Sequence, residues 1–285
     1  MRAAQVKTLL SLWRSAHPGP TAVVTVLAAA LGFGVGLSPW RIALLAAAVF
    51  AGQLSVGISN DAIDAERDRA VGRQDKPIAC GELRVRTAWI AAVSCLAAAL
   101  ILSAPMGPGL LGAHAVVLVS AWSYNAGLKS TALSVLPYII TFGLFPSLAT
   151  LSAPQPQLAA PWACFAGGIL GIALHLTNVL PDLDDDARTG VRGLPHRLGG
   201  RVSAAVASVA VLLGAAAVTV GPLNGRVLEV PSVSWVFFAA VVGVALATLI
   251  LNRAGRSGRA LFRLVMLAAM LLTAQLVAAG GSLAG

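Results

Sequence analysis

Long apolar runs alternate with short polar segments along almost the whole chain. A run of about 20 apolar residues is long enough to cross a bilayer as a helix. Such runs occupy about 20–38, 41–59, 86–104, 107–125, 131–152, 160–180, 201–221, 232–252 and 260–280. No segment between them is long enough for a separate soluble domain. The pattern therefore predicts an all-α, polytopic membrane helical bundle of about nine transmembrane helices, with residues 1–285 forming a single domain.

The composition points to the same class of protein. Hydrophobic residues make up 58% of the 285 positions, and only 11% are charged, whereas soluble domains carry roughly a quarter. The mean hydropathy is +0.84. The cysteines Cys80, Cys95 and Cys164 have neither CxxC nor Cys/His spacing, which argues against a disulfide framework or a zinc site. We therefore expect a fold that is adapted to the lipid bilayer and that does not depend on disulfide bonds or a structural zinc site.

The charged residues are distributed unevenly between the two ends of the predicted helices. If the N-terminus is cytoplasmic, all of the 20 Lys and Arg residues except Arg41 and Arg226 fall on the cytoplasmic side. The positive-inside rule thus predicts a multi-pass protein of the cell's inner membrane with a cytoplasmic N-terminus. The same rule explains the net charge of +9 without a nucleic-acid partner. All acidic residues except Glu229 also lie on that side, which suits a substrate with an anionic head and an apolar tail.

Two acidic segments follow apolar runs and share one spacing. The first contains Asn60, Asp64 and Asp68, and the second contains Asn178, Asp182 and Asp186. Residues at i, i+4 and i+8 project from one face of a continuous helix. Clusters of oxygen ligands suit Mg²⁺, which takes its remaining ligands from water and phosphates. A pair of solvated, acidic helix ends is the simpler alternative.

Cationic residues accompany both acidic segments. The residues concerned are Arg67, Arg69, Arg73 and Lys76 after the first, and Arg188, Arg192 and Arg197 after the second. Between the segments, Lys129 is the one charged residue of a short loop that follows Tyr124. Lys129 has two interpretations. It is either a loop lysine whose ammonium reaches toward water, or a positive point charge that contacts a phosphate to which the Tyr124 hydroxyl also donates a hydrogen bond. Cations beside a metal would neutralise the remaining phosphate oxygens.

These motifs together resemble the UbiA superfamily of intramembrane prenyltransferases. Residues 60–81 look like the first signature of that family, and residues 182–199 look like the second. Tyr124 and Lys129 stand between the two signatures, as they do in the family plan of nine helices with both signatures on the cytoplasmic side. The resemblance covers nearly the whole chain.

The resemblance implies Mg²⁺-dependent transfer of an isoprenoid from its diphosphate to an acceptor, often an aromatic ring. The residues that would hold Mg²⁺ and diphosphate are Asn60, Asp64, Asp68, Asp182 and Asp186, with Asp64, Asp68, Asp182 and Asp186 as the catalytic carboxylates. The residues that would bind the substrate are Asn60, Arg73, Lys76, Tyr124, Lys129, Asn178 and Arg192.

Two positions depart from the family pattern. Lys76 stands where many members have Arg, which replaces a bidentate fork by a point charge. Asp185 stands where Gly is common and gives three consecutive carboxylates from Asp184 to Asp186. The resemblance therefore leaves open which of these three would reach the metal.

Two other functions compete with prenyl transfer. A terpene cyclase of the same superfamily would capture the allylic cation with the substrate's own double bonds, and aromatic residues that steady such a cation would favour it. Aromatic residues make up only 6% of this chain. A secondary transporter is the alternative from another class, but transporters place ionisable groups near the membrane midplane, whereas here they crowd one surface. The sequence favours the transferase.

Overall fold

Each predicted apolar run contains a helix in the computed structural model, which describes residues 2–255, 258–279 and 283. The helices are α1 (Arg2–Ser15), α2 (Pro18–Gly34), α3 (Pro39–Ile63), α4 (Ala65–Ala70), α5 (Val85–Ser103), α6 (Pro108–Ala126), α7 (Leu136–Leu151), α8 (Pro161–Val179), α9 (Leu183–Arg188), α10 (Leu194–Leu198), α11 (Gly200–Val220), α12 (Ser232–Arg253) and α13 (Arg259–Ala278). No β-strand occurs in the described part of the chain. The all-helical fold is confirmed.

The expected count of about nine transmembrane helices is not confirmed. Within the described residues, six helices are long and apolar enough to cross a membrane, or seven if the bent pair Gln5–Ser15 and Pro18–Gly34 forms one span. That pair bends by 70°. Of the remaining apolar runs, α7 has only 16 residues, and α6 carries His114 and a polar last turn. The chain is nevertheless a multi-pass membrane protein.

Proline marks the start of several of these helices. Pro18, Pro39, Pro108 and Pro161 stand in the first turn of α2, α3, α6 and α8. Proline is favoured there because its fixed φ suits a helix and its missing N–H would have no partner inside the helix. These boundaries agree with the sequence pattern within a few residues.

Six helices form a closed ring around a cavity. Around the ring, α2 packs on α3, α3 on α6, α6 on α7, α7 on α8, α8 on α13, and α13 back on α2. The other long helices lie outside this ring: α5 packs on α3 and α6, while α11 and α12 cover α8 and α13. The interior of the ring therefore belongs to helices from both halves of the chain.

The contact between α7 and α8 is unusually close because glycines line it. A Cβ atom at Gly171 would lie 2.5 Å from the carbonyl oxygen of Tyr138, and one at Gly167 would overlap the carbonyl oxygen of Phe142. Small residues let transmembrane helices approach through their backbones. The positions of Tyr138 and Phe142 in the cavity wall therefore depend on these two glycines.

Candidate active site

Both acidic segments are broken helices rather than continuous ones. The spacing predicts one helix through Asn60, Asp64 and Asp68, but α3 ends at Ile63 and α4 starts at Ala65. The second segment passes from α8 through a 3₁₀ turn, Leu180–Asp182, into α9. A short helix thus follows each long one at the same end of the bundle.

The first segment is held by ion pairs with buried carboxylates. Asp64 accepts from the Lys129 ammonium at 2.5 and 2.6 Å and from Arg67 at 2.9 Å. Asp61, which is 2% exposed, accepts from Lys76 at 2.5 Å and lies 3.1 Å from the His17 imidazole. Burial lowers the pKa of Lys129, while the Asp64 carboxylate opposes that shift. These pairs fix the cations around the end of α3.

Two arginines of the first segment reach carboxylates of the second. Arg73 binds Asp75 through two parallel bonds of 2.8 and 3.0 Å and donates to Asp182 at 3.1 Å. This bidentate ion pair raises the pKa of Arg73 and lowers the pKa of Asp75. Arg67 lies 3.7 Å from Asp186. The two acidic segments, far apart in sequence, therefore form one charged site.

Asp68 is buried and Asp186 is half-buried, and among the described residues neither carboxylate accepts a hydrogen bond from a cationic side chain. Asp68 is 4% exposed and has no side-chain hydrogen bond or ion pair within the described residues. Among the described residues, the Asp186 carboxylate contacts Arg67 and His196, each at 3.7 Å. Burial raises the pKa of Asp68, and it raises that of Asp186 to about 6. A cation placed between them would offset this cost of burial.

The donor set fits a hard divalent cation by its chemistry. Its ligand atoms are carboxylate and amide oxygens, which Mg²⁺ prefers. No three His, Cys, Asp or Glu side chains of the described chain converge into a complete metal cluster. Mg²⁺ completes its shell with water and phosphate, so a few carboxylates are enough. The side chain of Asp184 lies outside what the structure describes.

The charged site forms the mouth of a cavity of about 690 Å³. Asn60, Asp64, Asp68, Asp182 and Asp186 all line it, as do Arg73, Lys76, Tyr124, Lys129 and Asn178. Deeper in the ring, apolar side chains such as Val24, Leu27 and Met266 take over the lining. This change from a charged mouth to an apolar interior suits a ligand with an anionic head group and an apolar tail.

Aromatic rings form one wall of the cavity below the charges. The Tyr138 ring lies 5.3 Å from Tyr124, 4.9 Å from His175 and 6.1 Å from Phe142, measured between ring centroids. The amide of Asn178 donates to the Tyr138 hydroxyl at 3.2 Å. Such a wall can pack on a flat ligand and present π faces to positive charge.

One residue expected at the site lies elsewhere, and several unexpected ones are present. Arg192 is exposed and does not line the cavity, although its neighbour Val191 does. The additional residues in the lining are His17, Arg67, Asp75, Tyr138, His196, Arg259 and Arg263. Arg259 donates to Asp75 at 3.3 Å across 184 positions. Of these additional residues, Arg67, Asp75 and His196 lie within the two signature segments, whereas the other four have no comparable sequence signal.

The fold and the site together define a multi-pass membrane protein with a cation-rich, acidic cavity mouth at one end of a helical ring. The model of the UbiA prenyltransferase family matches residues 21–279, and the chain belongs to that family. It is therefore an intramembrane prenyltransferase by family, as the sequence motifs indicate. This membership favours prenyl transfer over transport.

Relatives with names and solved structures agree with this assignment. A digeranylgeranylglyceryl phosphate synthase of Methanopyrus kandleri is 28% identical over 77% of this chain and 80% of its own length. The bacteriochlorophyll synthase 33 kDa chain of Cereibacter sphaeroides is 30% identical over 61% of each chain. The structure of a UbiA homolog from Archaeoglobus fulgidus bound to GPP and Mg²⁺ covers 95% of this chain and 100% of its own, with 16% identity and a TM-score of 0.69.

Proposed function

We propose that the protein transfers an isoprenyl chain from its diphosphate to an aromatic acceptor in a Mg²⁺-dependent reaction. The observation that carries this proposal is the contact of Arg73 with Asp182, which joins the two acidic segments above an apolar cavity. A site of this kind holds a diphosphate at the surface and its chain within the membrane. The solved relative described as bound to GPP and Mg²⁺ supports the same assignment.

The oxygen ligands for Mg²⁺ in this proposal are Asn60, Asp64, Asp68, Asp182 and Asp186. Asp68, which is buried, and Asp186, which is half-buried, are the strongest candidates because neither is hydrogen-bonded to a cation among the described residues. When bound, Mg²⁺ stabilises the negative charge that develops on the departing diphosphate. Lys129 already contacts two oxygens of Asp64, so its ammonium is positioned next to the proposed metal site.

The chain's own cations would bind the leaving group. Arg73, Lys76 and Lys129 line the mouth beside the carboxylates and are largely removed from water, with side-chain exposures of 17%, 14% and 10%. Charges placed in advance where the transition state becomes negative lower the barrier without reorganisation. The bond between the first prenyl carbon and the diphosphate oxygen breaks, and its electron pair leaves with the diphosphate.

The cavity below would control the fate of the allylic cation. Its apolar lining excludes water, and the rings of Tyr124 and Tyr138, which lie nearer the mouth, present π faces to the positive charge. The ring carbon of the acceptor then bonds to the first prenyl carbon and loses a proton. The aromatic wall also offers a stacking surface for a flat acceptor, which is why we favour this acceptor class over an aliphatic one.

The distribution of Lys and Arg supports a position of this site on the cytoplasmic side of the inner membrane. Apart from Arg41 and Arg226, every Lys and Arg falls in a sequence segment that the predicted topology assigns to the same side as the acidic segments. The positive-inside rule then makes the N-terminus cytoplasmic. Isoprenyl diphosphates made in the cytosol would reach the mouth directly.

Isotopically labelled geranyl diphosphate tests the proposal with purified protein in detergent. We expect a prenylated product that requires Mg²⁺ and a supplied aromatic acid or phenol, and that disappears with EDTA or in Asp68→Ala and Asp182→Ala. Glu229→Ala is the matched control because it removes a carboxylate from the opposite membrane face, and this variant should retain activity. Turnover in metal-free buffer would refute the Mg²⁺ assignment. Acceptor-independent conversion to a cyclic hydrocarbon would establish the cyclase instead.

A further inference from the structure

A second void lies directly behind one wall of the cavity. It measures about 20 Å³ and is surrounded by residues of α2, α3, α6 and α7. The residues that line both the cavity and this void are Val24, Gln53, Val56, Ala121, Thr141 and Phe142. A layer of single side chains therefore separates the two spaces, and Phe142 is the largest member of that layer.

On α7 the position of Phe142 marks the lower end of the cavity. Tyr138, one turn nearer the mouth, lines only the cavity, whereas Phe145 and Leu148 line only the void. On α3 the same boundary falls at Gln53, seven residues and about 10 Å below Asn60 at the mouth. A chain whose head binds at the mouth and that runs down this side of the cavity would meet the Phe142 ring with its far end.

The Phe142 ring cannot easily turn out of the way. It stacks on Tyr138 with centroids 6.1 Å apart and an interplanar angle of 26°, and Phe145 follows at 6.2 Å. The backbone of α7 is pressed against α8 at Gly167 and Gly171, so the helix has no room to rotate. The ring is therefore a fixed stop rather than an adaptable one.

We propose that Phe142 sets the length of the prenyl chain, an inference that rests on the proposed function. Benzene fills an apolar cavity of about 150 Å³, or about 25 Å³ per carbon. By this measure the 690 Å³ cavity holds about 28 non-hydrogen atoms. Geranyl diphosphate with about 19 and a single-ring acid with about 10 fill it together. The wild-type protein should therefore prefer a two-isoprene donor.

Substitutions at Phe142 make this inference quantitative. An isoprene unit needs about 125 Å³ at the same volume per carbon. Phe142→Ala removes six carbons, which frees about 150 Å³ and opens the void behind the ring, and this is enough for one further unit. Phe142→Leu frees only about 75 Å³, which together with the void stays below one unit. The preferred donor should change from geranyl to farnesyl diphosphate in the alanine variant and stay geranyl in the leucine variant.

The experiment compares dimethylallyl, geranyl, farnesyl and geranylgeranyl diphosphates in competition, with the products separated by mass. For Phe142→Ala, the ratio of kcat/KM for farnesyl over geranyl should rise about tenfold or more relative to wild type. Thiolodiphosphate analogues of the four donors do not react, so their binding can be measured without acceptor. The analogue that raises the unfolding midpoint most should change from geranyl to farnesyl in Phe142→Ala. Phe165→Ala removes the same volume at an exposed position of α8 outside the cavity and should keep the wild-type preference.

Each outcome separates the inference from the proposed function. If wild type transfers none of the four chains, the proposed function is wrong. If wild type transfers them and Phe142→Ala keeps the wild-type preference, the role of Phe142 is refuted while the function stands. If the alanine variant does not fold, Phe142→Trp replaces it, because a larger ring should shift the preference to the dimethylallyl donor. An unchanged preference in Phe142→Trp would also refute the role.

Discussion

Gly171 offers a sharp test of how helix packing supports the active site. It lies on α8 where a Cβ atom would stand 2.5 Å from the carbonyl oxygen of Tyr138 and 3.2 Å from the Cβ of Phe142. Ordinary contacts at such positions are 3.4 Å or longer. In Gly171→Ala, α7 must therefore retreat from α8 by most of an ångström, and the two cavity-lining rings must move with it.

The expected loss of stability follows from two opposing terms. Replacing Gly by Ala inside a helix gains about 1 kcal/mol because the unfolded chain loses conformational freedom. Forcing an extra methyl into a packed contact costs about 1–3 kcal/mol, and the upper end applies here because the clash is with backbone rather than with a flexible side chain. The net result is destabilisation by about 2 kcal/mol, which lowers the unfolding midpoint by about 4–8 °C.

The assay is thermal unfolding of purified protein in detergent, together with kcat/KM for prenyl transfer. Gly243→Ala in α12 is the matched control because nothing lies within 4 Å of its new Cβ. The control should be unchanged or slightly more stable and fully active, whereas Gly171→Ala should lose both stability and activity. Equal midpoints for the two variants would show that the α7–α8 contact does not carry the rigidity ascribed to it.

Three further predictions follow from the ion pairs and the orientation. Lys129→Gln should lower kcat about a hundredfold in steady-state kinetics, since it removes a charge aimed at the leaving group, and Lys129→Arg should restore part of it. Asp61→Asn should lower the unfolding midpoint because it leaves the largely buried Lys76 ammonium without its carboxylate partner. Adding Lys76→Met should recover part of the lost stability, and no recovery would mean that the two residues are not coupled. Single cysteines in 188–192 should react with a membrane-impermeant reagent only from the cytoplasmic side, and those in 224–228 only from the other; labelling of both from one side would refute the topology.

The sequence predicts the parts of this protein that depend on local pattern. Hydrophobic runs located the long helices, and the equal spacing of Asn60, Asp64 and Asp68 with Asn178, Asp182 and Asp186 identified the two acidic segments. Both kinds of signal are contained within a few helical turns. They led to the fold and family without any knowledge of how the helices pack.

Contacts between distant segments could not be predicted in the same way. The pairs Arg73 with Asp182 and Arg259 with Asp75 join residues 109 and 184 positions apart, and they depend on how the ring of helices closes. Tyr138 has no charged neighbour in sequence and enters the site only because α7 packs tightly on α8. Arg192 is exposed and does not line the cavity, since a position near the acidic segment does not decide which way a loop residue faces.

The helix breaks explain how the two equally spaced sets line one cavity even though the continuous helix that the spacing assumes is absent. Over eight residues a continuous α-helix rises about 12 Å and turns about 80° past two full turns, so the first and third residues of each set would diverge. In the structure α3 stops just before Asp64, and α8 passes into a 3₁₀ turn that ends at Asp182, so the α-helix is interrupted at or beside the middle residue of each set. All six residues then line one cavity. The short helices α4 and α9 are too brief to be stable alone. The Arg67–Asp186 contact joins them, and the Arg73–Asp182 hydrogen bond joins the residues next to them. The charged groups that we assign to diphosphate chemistry therefore also fix the geometry of the segments that carry them.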